Sequence, residues 1–292
     1  MNVKVEDSRE NEIYPIKFEA KFTKDEEFNI YKLKNLLKEN KVNYDEVLFT
    51  DSFFVRTLRG RDNNLNEAYK MFTDYLKYRE DNNLENINKF QISNLNEIKK
   101  YYPHCYHNID KFGRPIYIEK VGDLNVDNLF KITNAEDMIK YYVQDYEVLF
   151  RKTFPICSEV KGDYIGQILM IADLNGVGLS MLSSKVRDFI SLKSKVDQTY
   201  YPEKIGKIFL INTNFMFRAL WAIVKIFIAE RTKKKITTLG SSYLNELLEV
   251  VDKNNLPKFL GGNCECKEGC INSNIGPWND DIHKNRNYKK YT

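Results

Sequence analysis

The chain has 292 residues, 42% of them hydrophobic, enough to bury a core in one large domain or in a small unit beside a larger one. Its 45 cationic and 41 anionic side chains leave a net charge of only +4, too mild an excess to argue for a nucleic-acid partner. Five cysteines (Cys105, Cys157, Cys264, Cys266 and Cys270) and a polar beginning, "MNVKVEDSREN", with no apolar signal core, point to a cytosolic protein with reduced thiols.

The first ~25 residues offer little to bury and read as loose. From Glu26 to about Asn88 the pattern is helical. "AYKMFTDYLKYRE" sets Ala68, Met71 or Phe72, Tyr75, Leu76 and Arg79 at three- and four-residue spacing. "TDSFFVRTLRGR" offers a cap at Thr50 or Asp51 before Phe54, Val55 and Leu58. These helices predict a small unit over 1–95. Strands and helices then alternate. "RPIYIEKVG" reads as a strand, and "AEDMIKYYVQDYEVLFRKTF" as a long amphipathic helix. "YIGQILMIADLNGV" and "KIGKIFLINT" are the continuous apolar runs of buried parallel strands, and "KKITTLG" is a further strand. The order predicts an α/β domain over 96–265 with a mixed, mostly parallel sheet, followed by a tail over 266–292.

Motifs for catalysis are mostly missing: there is no G-x-S-x-G, P-loop or H-E-x-x-H. "NGVGLS" reads as a strand-to-helix turn. "PHCYH", with His104, Cys105 and His107, reads as a polar loop rather than a metal site. "CECKEGC" clusters Cys264, Cys266 and Cys270, for which His283 could be a fourth zinc ligand. However, C-x-C-x3-C is not a usual zinc spacing, and the reading assigns no metal.

The stretch "RALWAIVKIFIAERTKKKI" is the most unusual. No apolar run reaches the ~20 residues of a spanning helix. The longest, Phe215 to Ala229, carries Arg218 and Lys225. Around those cations it is apolar over most of its girth, where a surface helix needs an apolar arc of only ~100°. Two readings fit: a helix buried on all sides, or one with core on one side and a bilayer or held lipid on the other. The run Lys233–Lys235 favours the second, since cations near an anionic leaflet contribute roughly 1 kcal/mol each.

Taken together in order, "YYPHCYHNIDKFGRPIYIEKVG", "IADLNGVGLS", "YYPEKIGKIFLINTNFMF", "KKKITTLGSSYLNELLEVVDKNNLPKFLGG" and "CECKEGCINSNIGPWND" resemble the CRAL-TRIO lipid-binding family. Within it they resemble the Sec-fourteen-like phosphatidylinositol/phosphatidylcholine transfer proteins. The likeness runs from about Asp51 to Asp280. It implies a sheet flooring a lipid cavity and a mobile helical gate carrying Phe215, Phe217, Leu220, Trp221, Val224, Phe227 and Ile228. It implies phosphatidylinositol contacts from Arg61, Glu203, Thr232 and Lys235, with Asp62 where the family often has a base. It also implies a phosphatidylcholine site at Tyr106, Tyr117 and Ser180, with Gly178 where a serine is usual. The cysteine-rich tail resembles a feature of some members. The implied protein is a monomer that is no enzyme and uses no cofactor beyond its bound phospholipid. It would meet anionic Golgi or other secretory membranes peripherally and present lipid to phosphoinositide kinases. The alternatives are a carrier of a sterol or isoprenoid, and a sensor or scaffold that transfers nothing.

Overall fold

A computed structural model of the protein describes residues 17–284. The N-terminal unit contains α1 (Lys24–Glu39), α2 (Asp51–Arg59), α3 (Leu65–Asp81) and α4 (Leu95–Tyr101). A capping box opens α1: Thr23 accepts from the Glu26 amide and Glu26 reaches back to the Thr23 amide. On α3 the buried residues are Ala68, Met71, Phe72, Tyr75 and Arg79, the spacing expected of one helical face. Of the stretch expected to be loose, residues 1–16 lie outside the described residues. Ala20 is buried, and its amide donates to Ser52 Oγ at 2.7 Å.

Five strands follow: β1 (His104–Ile109), β2 (Pro115–Lys120), β3 (Ile168–Asp173), β4 (Ile205–Ile211) and β5 (Ile236–Thr238), hydrogen-bonded in that order. β1 runs antiparallel to β2, and β2 to β5 are parallel. The expected α/β class with a mixed, mostly parallel sheet holds. "PHCYH", read as a polar loop, is instead edge strand β1, with His104, Cys105 and His107 all buried. Its polar residues obscured the strand pattern, because pairing with β2 shapes the strand while α6 (Ala135–Val148) covers one of its faces and the C-terminal segment the other.

Between the strands lie α5 (Val126–Ile132), α6 (Ala135–Val148), α7 (Phe154–Lys161), α8 (Ser184–Tyr200), α9 (Phe217–Val224) and α10 (Glu230–Lys233). The expected single helix over 135–154 is broken by a π-helical turn at Leu149–Thr153, just before Pro155, whose missing N–H cannot continue the ladder. Because β2 to β5 step one way across the sheet, right-handed crossovers place the connecting helices on a single face. The other face needs a separate cover. Ile116, Ile118, Leu169, Ile171, Phe209 and Ile211 point to it, and Leu247, Val251, Leu256 and Leu260 from α11 (Leu244–Val250) and the following turns close it. Period-2 alternation sends Glu119, Met170, Ala172, Ile208 and Leu210 to the helical face.

The N-terminal unit is continuous with the rest. One apolar cluster joins Leu33, Phe54 and Phe72 to Tyr142 on α6 and Phe189 and Tyr201 around α8. Within this core Glu147 takes hydrogen bonds from Tyr75 (2.9 Å), Tyr201 (2.8 Å) and Arg79 (3.0 Å), and an ion pair from Arg151 (2.8 Å).

Candidate functional site

On the helical face the packing is incomplete. A cavity of about 310 Å³ lies between the sheet, α8 and α9. Its floor is Met170, Ala172, Ile208, Leu210 and Ile236, and its roof is Phe217, Leu220, Trp221, Val224 and Ile228. The lining is predominantly apolar, as a site for an oily ligand requires.

The roof differs from the single helix expected over Phe215–Ala229. α9 ends at Val224, a 3₁₀ turn spans Lys225–Phe227, and α10 follows after Ala229. The inner residues of α9 face the cavity, with Leu220 buried. Flanking it, Phe215 is 83% exposed and Ile226 67% exposed. An apolar stripe inside and apolar side chains outside account for the unusual girth of the sequence. The segment is fastened at its end. The carbonyl of Phe227 accepts from Ser194 Oγ and from Gln198 Nε2 (2.6 Å) on α8. At its start the Asn214 side chain caps the amides of Met216 and Phe217.

The polar end of the cavity gathers around Glu203, whose backbone sits at φ +60, a left-handed conformation that a non-glycine residue holds only when its surroundings fix it. Its Oε2 accepts from Lys235 at 3.0 Å, and its Oε1 lies 3.1 Å from Arg231 Nε. Lys235 also donates to the Ile205 carbonyl at 2.7 Å. Arg61 donates to the carbonyls of Gly60 (2.9 Å) and Gln198 (3.2 Å). Thr232 lines the same wall, and its carbonyl accepts the Lys235 amide at 3.0 Å. Two cations, Lys235 and Arg231, therefore converge on one carboxylate, with Arg61 on the same cavity lining and the exposed Asp62 3.6 Å from Arg231. The excess of positive charge suits an anionic group, and Glu203 suits the hydroxyls of a polyol.

All four residues expected for an inositol phosphate thus line one cavity. Sequence reasoning missed Arg231, although it lies inside the quoted "RTKKK" and shares the Glu203 carboxylate. The three lysines beside it, read as a run of cations for an anionic leaflet, face different surroundings. Lys233 pairs with Glu230 at 2.6 Å, Lys235 turns inward, and Lys234 is exposed.

A second polar group was also missed. Tyr102 donates to Glu119, and Lys193 donates to the Tyr102 hydroxyl at 3.0 Å, all three residues lining the cavity. The choline-lipid residues are placed differently. Tyr106 and Tyr117 pack against one another with tilted rings, centroids 5.1 Å apart, in a buried cluster with Phe154 and Trp278. They lie on the helical face of the sheet but are not among the cavity-lining residues. A Cβ at Gly178 would meet nothing nearer than the Gly176 carbonyl at 3.9 Å. The Ser180 side chain lies outside the described residues.

A cavity over a mostly parallel sheet, roofed by an amphipathic segment and charged at one end, has counterparts. The CRAL/TRIO domain model matches residues 99–262, and the chain belongs to that family. Among its relatives, the Sec14 cytosolic factor of Schizosaccharomyces pombe is 39% identical over 252 residues, covering 86% of this chain and 87% of that protein. The phosphatidylinositol/phosphatidylcholine transfer protein SFH11 of Arabidopsis thaliana is 39% identical over 228 residues, 77% of this chain and 61% of that protein. The crystal structure of Sfh5 superposes with a TM-score of 0.59 over 78% of this chain and 85% of that one, at 17% identity, which shows the shared fold. No helix of the described residues is long and apolar enough to cross a membrane.

Proposed function

We propose that the protein binds phosphatidylinositol and exchanges phospholipids between membranes. The single observation that carries this reading is that one apolar cavity ends in Arg61, Glu203, Arg231, Thr232 and Lys235. Arg61 and Lys235 would hold the phosphodiester, and Glu203 would accept from the inositol hydroxyls. The name of the Arabidopsis relative, a phosphatidylinositol/phosphatidylcholine transfer protein, supports the ligand class.

Physical chemistry sets the remaining requirement. Lifting a two-chain phospholipid into water exposes ~30 methylenes at ~0.8 kcal/mol each, roughly 25 kcal/mol. The chains must therefore pass from bilayer to cavity without meeting water. The α9 segment is the proposed gate, with Phe215, Ile226 and the following Phe227 and Ile228 meeting lipid when it opens. No bond is made or broken, and the phospholipid is cargo rather than cofactor. The protein would act as a monomer from the cytoplasm, at anionic Golgi or other secretory membranes, and offer its lipid to phosphoinositide kinases.

Mass spectrometry of lipid extracted from the recombinant protein, with transfer of labelled phosphatidylinositol between vesicles, tests this. Copurified phosphatidylinositol and measurable transfer are expected. A sterol or isoprenoid in the cavity would instead make the protein a different carrier, and a chain that loads and transfers nothing would make it a scaffold.

A further inference from the structure

We propose that His107, Cys264, Cys266 and Cys270 form a closed, four-ligand site for a zinc ion on the face of the sheet away from the cavity. The donor atoms of these four residues lie within 4.8 Å of one another. Cys264 Sγ is 3.8 Å from Cys266 Sγ, and Cys266 Sγ is 3.7 Å from His107 Nε2. Those separations are the edges of a zinc tetrahedron. Zn–S bonds of about 2.3 Å and a Zn–N bond of about 2.0 Å put ligand atoms about 3.5–3.8 Å apart. A disulfide would need its sulfurs about 2.05 Å apart.

The histidine is oriented for the role. A carbonyl oxygen can only accept, so the 3.2 Å contact between His107 Nδ1 and the Asn255 carbonyl puts the proton on Nδ1. Nε2 then carries the lone pair, and Nε2 is the atom that faces Cys266. Zinc-binding histidines are commonly held in this way, by a carbonyl or carboxylate on the other nitrogen. Asn255 is itself tied down, its side-chain amide donating to the Ile109 carbonyl at 3.0 Å.

The fold brings the four ligands together from both ends of the lipid domain. The β1–β2 register is irregular between Tyr106 and Ile109, and Asn108 sits at φ +57 with its amide donating to the Ile275 carbonyl at 2.6 Å. This bulge turns His107 toward the C-terminal segment. That segment doubles back at Gly261 and Gly262, where a Cβ on Gly262 would stand 1.9 Å from the Leu256 carbonyl oxygen. The tight turn lets the Cys264 amide donate to that carbonyl at 3.0 Å. A second turn, from Cys266 to Gly269, returns Cys270 so that its thiol donates to the Cys264 carbonyl at 3.3 Å. His107 and Cys270 are buried, and the other two cysteines are half-buried. Binding releases the thiol protons to solvent, and four protein ligands leave no open position, so the ion is structural rather than catalytic. Sequence reasoning assigned no metal and offered His283 as the possible fourth ligand. His283 is not in the group, and the partner that completes it lies 159 residues from Cys266 along the chain.

The site is tested on the full-length chain, purified reduced and without chelator. Elemental analysis is expected to give about one zinc per chain. Metal-free protein, titrated with Co²⁺ under reductant, is expected to show the thiolate charge-transfer and intense visible bands of tetrahedral cobalt, abolished by added Zn²⁺. His107→Asn and Cys266→Ser should lose the zinc or weaken it at least tenfold, while Cys105→Ser and Cys157→Ser keep it. Wild-type protein with only trace metal and no tetrahedral cobalt spectrum overturns the proposal, whatever the variants do. So does zinc that survives both ligand substitutions, or that Cys105→Ser removes to the same extent. None of these readouts depends on which lipid the cavity holds.

Discussion

Glu147 and Glu203 are each a carboxylate held between two cations, yet they sit in opposite surroundings. Glu147 is 2% exposed, and Tyr75, Tyr201, Arg79 and Arg151 use its oxygens from every side. Burial alone would raise its pKa, but the charges of Arg79 and Arg151 and the hydrogen bonds of Tyr201 and Arg79 hold it below the usual range. Glu203 lies at a cavity wall, with Arg231, Lys235 and Arg61 nearby and room for a ligand beside it. The same chemistry, closed in one place and open in the other, separates an ion cluster that joins two parts of a core from one that can hold a guest.

The sharpest way to break the comparison is to remove each carboxylate or its partner. Glu147→Ala would leave the buried Arg79 and Arg151 with the partly exposed Glu85 as their remaining carboxylate in this cluster, and urea denaturation is expected to show a loss of about 3–5 kcal/mol. A loss as small as that of Glu203→Ala would erase the distinction. Lys235→Ala is expected to lower phosphatidylinositol transfer roughly tenfold or more by removing a charge-assisted contact, with the melting temperature little changed. Unchanged transfer would remove Lys235 from the site.

Asp145 sharpens the contrast through pH. Burial pushes its carboxyl up to about 6, with Lys99, Lys193 and Lys204 partly offsetting the shift. A carboxyl raised in the fold favours folding at low pH, and that contribution fades as pH rises through the folded value. Asp145→Asn should therefore stabilise the protein by about 3 kcal/mol above pH 7 and by less than about 1 kcal/mol near pH 4. Equal effects at both pH values would show that its charge is not buried at cost. The smallest effect is expected from Gly178→Ser, which the open space around its Cβ accommodates. Stability should stay unchanged, and any gain in phosphatidylcholine loading would show that a hydroxyl there reaches the ligand.

What the sequence made legible followed from periodicity and from ordered resemblance. The parallel strands were visible as apolar runs, the face of α3 as a three-four spacing, and Arg61, Glu203, Thr232 and Lys235 through the likeness to a family. What it hid depended on distant chain segments meeting. β1 carries polar residues, and its burial comes from the tail and α6, which no local pattern reports. His107 joins the cysteines only through a bulge at one end of the domain and a glycine turn at the other. Arg231 differs from its basic neighbours only in where the short α10 turn points it, and the break after Val224 falls at Lys225 with no proline or glycine to mark it.

The hydrogen bonds on Gln198 have one more consequence. Its amide pins the carbonyl of Phe227, and its own carbonyl receives Arg61. A phosphate that draws Arg61 away would loosen the residue that moors the end of the cavity roof, so the arrival of a charged cargo head would be felt there. An uncharged oil could fill the chamber and leave that mooring taut, which would give the molecule a means of telling an occupant from its proper passenger.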